Sequence, residues 1–314
     1  MGNVGFLGIG TMGSRMCARL LAAGYDLTVW NRTAEKTAPL REKGAAVAAT
    51  PAEAASGKDI LLTNLTDYPA LESVITGPGG VLEADPPPPI FVDFATVAPA
   101  ESAKIAALLE AKGIAFLRAP VSGTANVAEI GKLTIMTSGE KAVSDAADPY
   151  LAVLGAIRYY MGTGEKARYI KLIHQMMIAG TMQIWGEGLV MGEKAGLDWR
   201  LMLEVLSNSA VGSGVVKGKI PTLAERVYEP PAMSLHNIVK DLDLSLAAGR
   251  EVDVELPATQ RIRELYDRGM AAGFEWKDYS ALVLDMEARA GLEPKESALP
   301  PSERREVTIR GGAA

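Results

Sequence analysis

In the stretch YIKLIHQMMIAG, residues 169–180, three polar side chains interrupt an apolar helical pattern. Lys171, His174 and Gln175 stand among Ile170, Leu172, Ile173, Met176, Met177 and Ile178. Residues three and four apart share a helix face, so the three converge on one spot. An ammonium group can release a proton, an imidazole can bind one, and an amide can both donate and accept hydrogen bonds. Such a trio on one stripe is a candidate site for proton exchange with a small polar ligand. The plainer alternatives are a lysine snorkelling from a buried helix and a packed, satisfied histidine. The chain has only two histidines; the other, His236 in SLHNIVKD, reads as structural or at a rim.

A second group of residues points to a dinucleotide. Gly8-Ile9-Gly10-Thr11-Met12-Gly13 has the spacing G-x-G-x-x-G, follows the apolar run NVGFL and opens a helical pattern. In that context Gly8 permits a tight turn, Gly10 lets a pyrophosphate reach the backbone, and Gly13 lets helix and strand pack closely. The N–H groups that open the helix are then available to phosphates. The next apolar run ends in Asn31-Arg32-Thr33, where selection of NAD would call for a carboxylate. Arg32 can pair with a 2′-phosphate, Thr33 can donate to it, and Lys36 adds charge one turn later. These residues predict NADP(H).

The elements that must position these groups change character along the chain. Strand patterns at 3–8, 26–31, 59–65, 89–94, 114–120 and 132–138 alternate with helical patterns at 11–23, 33–42 and 98–112. That alternation predicts an α/β domain with a doubly wound, mostly parallel sheet. Beyond residue 162 strand signals nearly vanish. One helical pattern runs from Glu165 to Gly196, roughly 45 Å at 1.5 Å per residue. Shorter helices are expected at 198–207, 213–225, 235–250, 256–271 and 277–290. The organisation is read as an α/β domain over 1–162, an all-α domain over 163–292 and a loose, charged tail over 293–314.

Composition limits the partners. The net charge is −6 over 314 residues, with 48% hydrophobic and 22% charged residues. An acidic chain argues against nucleic acid or an anionic membrane as a partner, but not against a small anion in a local basic pocket. With one cysteine, Cys17, no disulfide forms within the chain. No run of about 18 apolar residues predicts a membrane span, and the protein is expected in the cytoplasm. Two separated histidines without a Cys or Asp cluster make no metal site.

Several blocks together resemble the β-hydroxyacid dehydrogenase family of 3-hydroxyisobutyrate dehydrogenases and glyoxylate/succinic semialdehyde reductases. GFLGIGTMGSRMCARLLAAGYDLTVWNRTAEK is similar to the family's cofactor block in its NADP form. FVDFATVAPAES resembles its D-x-S-T-x-x-P stretch, and APVSGTANVAEIGKLTIMTSG its A-P-V-S-G-G block. KLIHQMMIAGTMQIWGEGLVMGEKAGLD resembles the lysine-bearing block, and VKDLDLSL the K-D-L stretch near the nicotinamide. The resemblance implies a Rossmann-type domain and an all-α domain joined by a long interdomain helix, in a homodimer or homotetramer formed through the helical domain.

It also implies roles. Lys171 corresponds to the lysine that lines the cleft between domains and acts as proton donor and acceptor. Ser122 and Gly123 correspond to the substrate-carboxylate clamp, with Thr124 where a further glycine is usual. Leu65, Thr66, Thr96 and Lys240 correspond to cofactor contacts, Thr96 by the nicotinamide ribose. His174 and Gln175 depart from the usual asparagines and suit the hydroxyls of a polyol acid. Arg118 faces either the substrate or the strand end. The segment from Gly164 to Lys171 is about three residues longer than the family pattern.

The expected activity is NADP(H)-dependent interconversion of a small β-hydroxy acid and its semialdehyde or keto form, with lysine as general acid and base. A lysine does this near neutral pH only where its surroundings favour the amine more than water does. The competing expectations are an imine reductase on the same fold, against which Lys171 argues, and an inactive NADP-binding module.

Overall fold

The computed structural model describes residues 2–297. Contacts divide the chain into two compact units, Met1–Leu172 and Ile173–Ala314. The division falls inside the long helix Lys166–Lys194.

In the first unit six parallel strands form one sheet. In chain order they are β1 Asn3–Leu7, β2 Asp26–Trp30, β3 Ala46–Val47, β4 Ile60–Thr63, β5 Ile90–Asp93 and β6 Ala115–Arg118. The spatial order is β3-β2-β1-β4-β5-β6, so the chain reverses direction across the sheet between β1 and β4. Burial on both sides explains why these strands read as continuous apolar runs. Phe6, Leu62, Val92 and Leu117 pack on one face with Met16, Cys17 and Leu20 of helix Thr11–Ala22. Their neighbours Leu7, Leu61, Phe91 and Phe116 pack on the other face with Ile105 and Leu109 of helix Pro99–Glu110. Each such side chain removed from water contributes about 1.5–3 kcal/mol.

Strand 132–138 meets this sheet in an antiparallel bridge between Ser138 and Arg118 but does not extend it. Its ordered part, β8 Thr134–Thr137, lies in a small second sheet between β7 Val121–Ser122, antiparallel to it, and β9 Ile157–Tyr160, parallel to it. Pro120 ends the β6 segment, and its carbonyl accepts from Met136 N–H instead of extending the main sheet. A further departure is at 33–42, where a 3₁₀ turn, Ala34–Thr37, precedes a short helix, Ala38–Arg41. Pro39 has no N–H to donate and crowds the carbonyl four residues back, so one regular helix cannot form there.

The second unit is helical, with Trp199–Ser207, Gly214–Glu225, Leu235–Glu251, Pro257–Ala271 and Leu282–Arg289 following the long helix. Its core gathers Trp185, Leu189, Trp199, Leu203, Ile220, Leu235, Leu242 and Tyr266. Of the segment expected to be loose, residues 293–297 carry contacts with this unit. Lys295 N–H donates to Glu287 Oε2 at 3.1 Å and Ser297 N–H to the Arg226 carbonyl at 2.9 Å. Residues 298–314 lie outside the described residues. Among the described residues no helix is long and apolar enough to cross a membrane.

The start of the long helix is fixed to the sheet by a buried ion pair. Arg168 Nη2 lies 2.5 Å from Asp93 Oδ2, and both side chains are 0% exposed. Arg168 Nη1 donates to the Ala95 carbonyl at 2.5 Å and Nε to Ser102 Oγ at 3.1 Å. Asp93 Oδ1 accepts from Thr63 Oγ1 at 2.7 Å and from Ala95 N–H at 3.2 Å. Removing one partner from such a pair strands the other charge away from water. Asp93→Asn is therefore expected to lower the unfolding free energy by about 3–5 kcal/mol, measured by urea denaturation of the full chain.

Candidate functional site

Because β1, β2, β4 and β5 are parallel, their C-terminal ends share one edge. Leu7 pairs with Trp30 and with Thr63, and Thr63 pairs with Asp93. The segments leaving that edge are Gly8–Gly13, Asn31–Thr33, Leu65–Thr66 and Thr96. The first unit thus brings together every predicted cofactor residue except Lys240. The edge lies at the reversal of strand order, where open α/β sheets leave a crevice.

The three glycines differ in what they do. Gly8 has φ +97°, and a Cβ there would lie 2.4 Å from the Asn64 carbonyl oxygen. A Cβ on Gly13 would lie 2.0 Å from the Gly8 carbonyl oxygen, which brings helix and strand together. A Cβ on Gly10 would meet no protein atom within 4 Å. Gly10 also caps helix Thr11–Ala22 without a side-chain hydrogen bond, so no capping side chain occupies the first turn at Thr11, Met12 and Gly13. Open space at Gly10 beside an uncapped helix start fits the pyrophosphate of a dinucleotide.

Asn31 braces this loop. Its Oδ1 accepts from Ile9 N–H at 2.9 Å and its Nδ2 donates to the Thr33 carbonyl at 2.8 Å. Arg32, Thr33 and Lys36 are exposed next to it. Leu65 and Thr96 are half-buried and Thr66 is exposed.

Lys171 follows Arg168 by one helical turn, so the buried ion pair sets the face on which it stands. Its Nζ donates to the Val121 carbonyl at 2.9 Å, immediately before Ser122. The predicted clamp and the predicted acid–base lysine therefore adjoin within the first unit. Gly123 has φ +141°, and a Cβ there would lie 2.7 Å from Leu133 Cδ2. Thr124 has φ −88° and is exposed, so threonine is accommodated without backbone strain. Arg118 is buried, with its guanidinium paired to Glu165 and stacked 4.4 Å from the centre of the Phe116 ring. It ties the end of β6 to the turn before the long helix. The Gly164–Lys171 segment thus carries two anchors, Glu165 and Arg168.

His174, Gln175 and Lys240 belong to the second unit. His174 Nδ1 lies 3.1 Å from Gln175 Oε1. Gln175 is buried and its Nε2 donates to Asp241 Oδ2. Lys240 Nζ lies 2.8 Å from Asp241 Oδ1. Cys17 is fully buried, and burial pushes its thiol well above the usual range, which removes it as a nucleophile. Asp93, Arg168 and Asp241 were not among the predicted site residues. Asp93 stands inside FVDFATVAPAES, Asp241 inside VKDLDLSL and Arg168 between Gly164 and Lys171, but nothing in one dimension marks them as partners.

Residues 3–162 match the family described as the NAD binding domain of 6-phosphogluconate dehydrogenase. Residues 163–285 match the NAD-binding family of NADP-dependent 3-hydroxyisobutyrate dehydrogenase. Glyoxylate/succinic semialdehyde reductase 1 of Arabidopsis thaliana is 36% identical over 281 residues, covering 90% of this chain and 97% of that protein. The chain belongs to the β-hydroxyacid dehydrogenase family. This family member is also 31% identical to 2-(hydroxymethyl)glutarate dehydrogenase of Eubacterium barkeri, over 92% of this chain and 96% of the relative. Its fold is shared with 3-hydroxyisobutyrate dehydrogenase of Mycobacterium tuberculosis, with TM-score 0.81, 24% identity and coverage of 91% and 99% of the two chains. As a β-hydroxyacid dehydrogenase it is a nicotinamide-dependent oxidoreductase acting on CH–OH groups.

The glycines separate binding from folding. Gly10→Ala should keep the wild-type melting temperature and weaken dinucleotide binding about ten- to hundredfold, through lost backbone hydrogen bonds. Gly13→Ala should lose about 1–3 kcal/mol of stability from overpacking. Thermal melts and fluorescence titration with the reduced dinucleotide would check both.

Proposed function

We propose that this family member uses NADP(H) to interconvert a small β-hydroxy acid and its semialdehyde or keto form, with Lys171 as general acid and base. The observation that carries the reading is the placement of Lys171 Nζ at the Val121 carbonyl, next to Ser122 and Gly123. A hydroxyl and backbone N–H groups there suit a substrate carboxylate. The exposed Arg32, with Thr33 and no acid at the end of β2, supports the 2′-phosphate form of the cofactor. So does the NADP-dependent description of the family matched by residues 163–285.

Gly8, Gly10, Thr11, Met12 and Gly13 would hold the pyrophosphate. Asn31, Arg32 and Thr33 would form the ribose end of the site. Leu65, Thr66, Thr96 and Lys240 complete the proposed cofactor contacts. When bound, the nicotinamide supplies or accepts the hydride. Negative charge then develops on the substrate oxygen during reduction. The Lys171 ammonium gives that oxygen a proton; in oxidation the neutral amine takes it back. Ser122, Gly123 and Thr124 orient the carboxylate, and His174 with Gln175 meets the hydroxyl side of the substrate. The Val121 carbonyl holds the lysine nitrogen in place without neutralising it as a carboxylate would.

Other parts of the reading concern partners and place. A homodimer or homotetramer formed through the second unit would cover the exposed apolar stripe Met177, Ile184 and Met191 of the long helix. A cytoplasmic site of action agrees with the single, buried cysteine.

Two substitutions test the chemistry. Lys171→Ala is expected to lower kcat about 100- to 10,000-fold while NADPH affinity stays near wild type. Steady-state oxidation of NADPH with glyoxylate, succinic semialdehyde and tartronate semialdehyde measures this, and wild-type turnover in the variant would sink the reading. Arg32→Asp should weaken NADPH binding about tenfold more than NADH binding, through the lost charge-assisted pair. Equal losses in parallel titrations would remove the NADP assignment. Turnover confined to cyclic imines would replace the hydroxyacid reading.

A further inference from the structure

Residues 293–297 lie against a buried cluster of charges in the second unit. Arg226 follows helix Gly214–Glu225 with φ +52° and stacks 3.7 Å from the centre of the Trp199 ring. Its guanidinium pairs with Glu287, whose side chain is 0% exposed, and its Nη2 lies 3.1 Å from Glu193 Oε2. Glu193 comes from the last turn of the long helix and Glu287 from helix Leu282–Arg289. A single guanidinium thus faces two carboxylates.

The second cation comes from the segment itself. Lys295 Nζ donates to Glu193 Oε1, and Lys295 N–H donates to Glu287 Oε2 at 3.1 Å. Ser297 N–H donates to the Arg226 carbonyl at 2.9 Å. Of the charged groups beside the cluster, Arg200 pairs with Glu225 and Lys277 with Glu296. Lys194 Nζ donates to the Ala290 carbonyl, and Glu293 is exposed. Tyr228 is buried, and burial pushes its hydroxyl far up, so it stays neutral.

With the segment in place, two carboxylates meet two cations. Lifting it leaves Glu193 and Glu287 to share Arg226, with one negative charge in excess. A carboxylate short of a partner and away from water takes up a proton rather than stay charged. The two carboxyls already differ in this respect. Burial raises Glu287 above the usual glutamate range, against the pull of Arg226 and of the Lys295 N–H. At Glu193 burial acts the same way, but Lys295 and Arg226 together hold it below that range. The first proton therefore goes to Glu287.

We propose that residues 293–297 form a proton-linked strap, held on the second unit while Glu193 and Glu287 are both ionised and released with the uptake of one proton. Docking adds donors to both carboxylates, so it lowers their affinity for protons. Its stability is full at neutral pH and is lost as the pH falls. The loss starts above the pH at which an ordinary glutamate titrates, because Glu287 is the first to be protonated. The strap joins the end of the long helix, the end of helix Gly214–Glu225 and helix Leu282–Arg289. Its release loosens that corner and leaves the apolar core of the unit in place. The inference stands apart from the proposed redox chemistry.

Amide hydrogen exchange of the full chain, followed from neutral to mildly acidic pH and corrected for intrinsic rates, tests it. Lys295 and Ser297 N–H are the reporters, since docking engages both. Their protection should be flat near neutrality and then fall by up to about tenfold per pH unit, the linkage of one proton. Amides of helix Leu235–Glu251 should keep theirs. Lys295→Met removes a cation whose side chain is 57% exposed, so the fold should be retained. Its strap protection at neutral pH should be about threefold or more below wild type, with a shallower fall in acid. Glu287→Gln should exchange at neutral pH as wild type does in acid, with no further fall.

Wild-type protection indifferent to pH over this range would overturn the proposal, and that measurement needs no variant to fold. So would protection lost at Lys295 and Ser297 only in step with the core amides, which is unfolding and not release. A Lys295→Met profile matching wild type would overturn it as well.

Discussion

A carboxylate and a guanidinium that are both shut away from water can persist only if they meet and if every remaining donor and acceptor is satisfied. Asp93 and Arg168 meet that condition. Each nitrogen of the Arg168 fork has an oxygen partner, and Asp93 receives donors on both oxygens. The groups involved come from the ends of β4 and β5, the loop at Ala95, helix Pro99–Glu110 and the start of the long helix. Any rotation of the long helix about its axis at this point would pull a charge out of this arrangement. The azimuth of Lys171, one turn later, is thereby set, and so is its reach to the Val121 carbonyl. Arg118 with Glu165 is a second tie on the same turn. The lysine nitrogen is thus positioned by residues that do not themselves carry out chemistry.

The same edge of the sheet shows a different use of constraint in the glycine loop. The edge of a parallel sheet exposes the strand C-termini, and three glycines there solve three separate problems. Gly8 permits a positive φ where the chain turns past Asn64. Gly13 removes a side chain that would collide with Gly8. Gly10 alone leaves space that no protein atom fills. A loop serving only as a tight turn would need the first two and not the third. Open space at an uncapped helix start is what an incoming phosphate requires, and it agrees with the family to which the chain belongs.

Polar order in the second unit gathers around one buried carboxylate. Asp241 accepts from Gln175 Nε2 and lies beside Lys240 Nζ, while His174 Nδ1 stands next to the Gln175 amide oxygen. A buried carboxylate and a buried amide satisfy one another here, which confines both side chains by packing as well as by hydrogen bonding.

Much of this was legible in one dimension. The parallel strands read as apolar runs because both faces of the sheet are covered, and the long helix read as one pattern because no proline or terminal signal breaks it. The glycine spacing, the absence of an acid at Asn31–Thr33 and the Lys171 stripe identified the cofactor loop and the candidate acid–base group. These are local features, and local rules of spacing and conformation are enough to find them. β3 and β9 escaped notice because one is two residues long and the other, IRYY, is largely exposed, so neither carries an apolar run. The placement of β8 in a separate sheet depended on where Pro120 turned the chain, and Asn31 turned out to brace the glycine loop. The partners Asp93 with Arg168, and Gln175 with Asp241, are 75 and 66 residues apart. Only the folded chain could decide them, because a buried charge or amide takes whichever partner the packing brings within reach, and sequence separation says nothing about that distance.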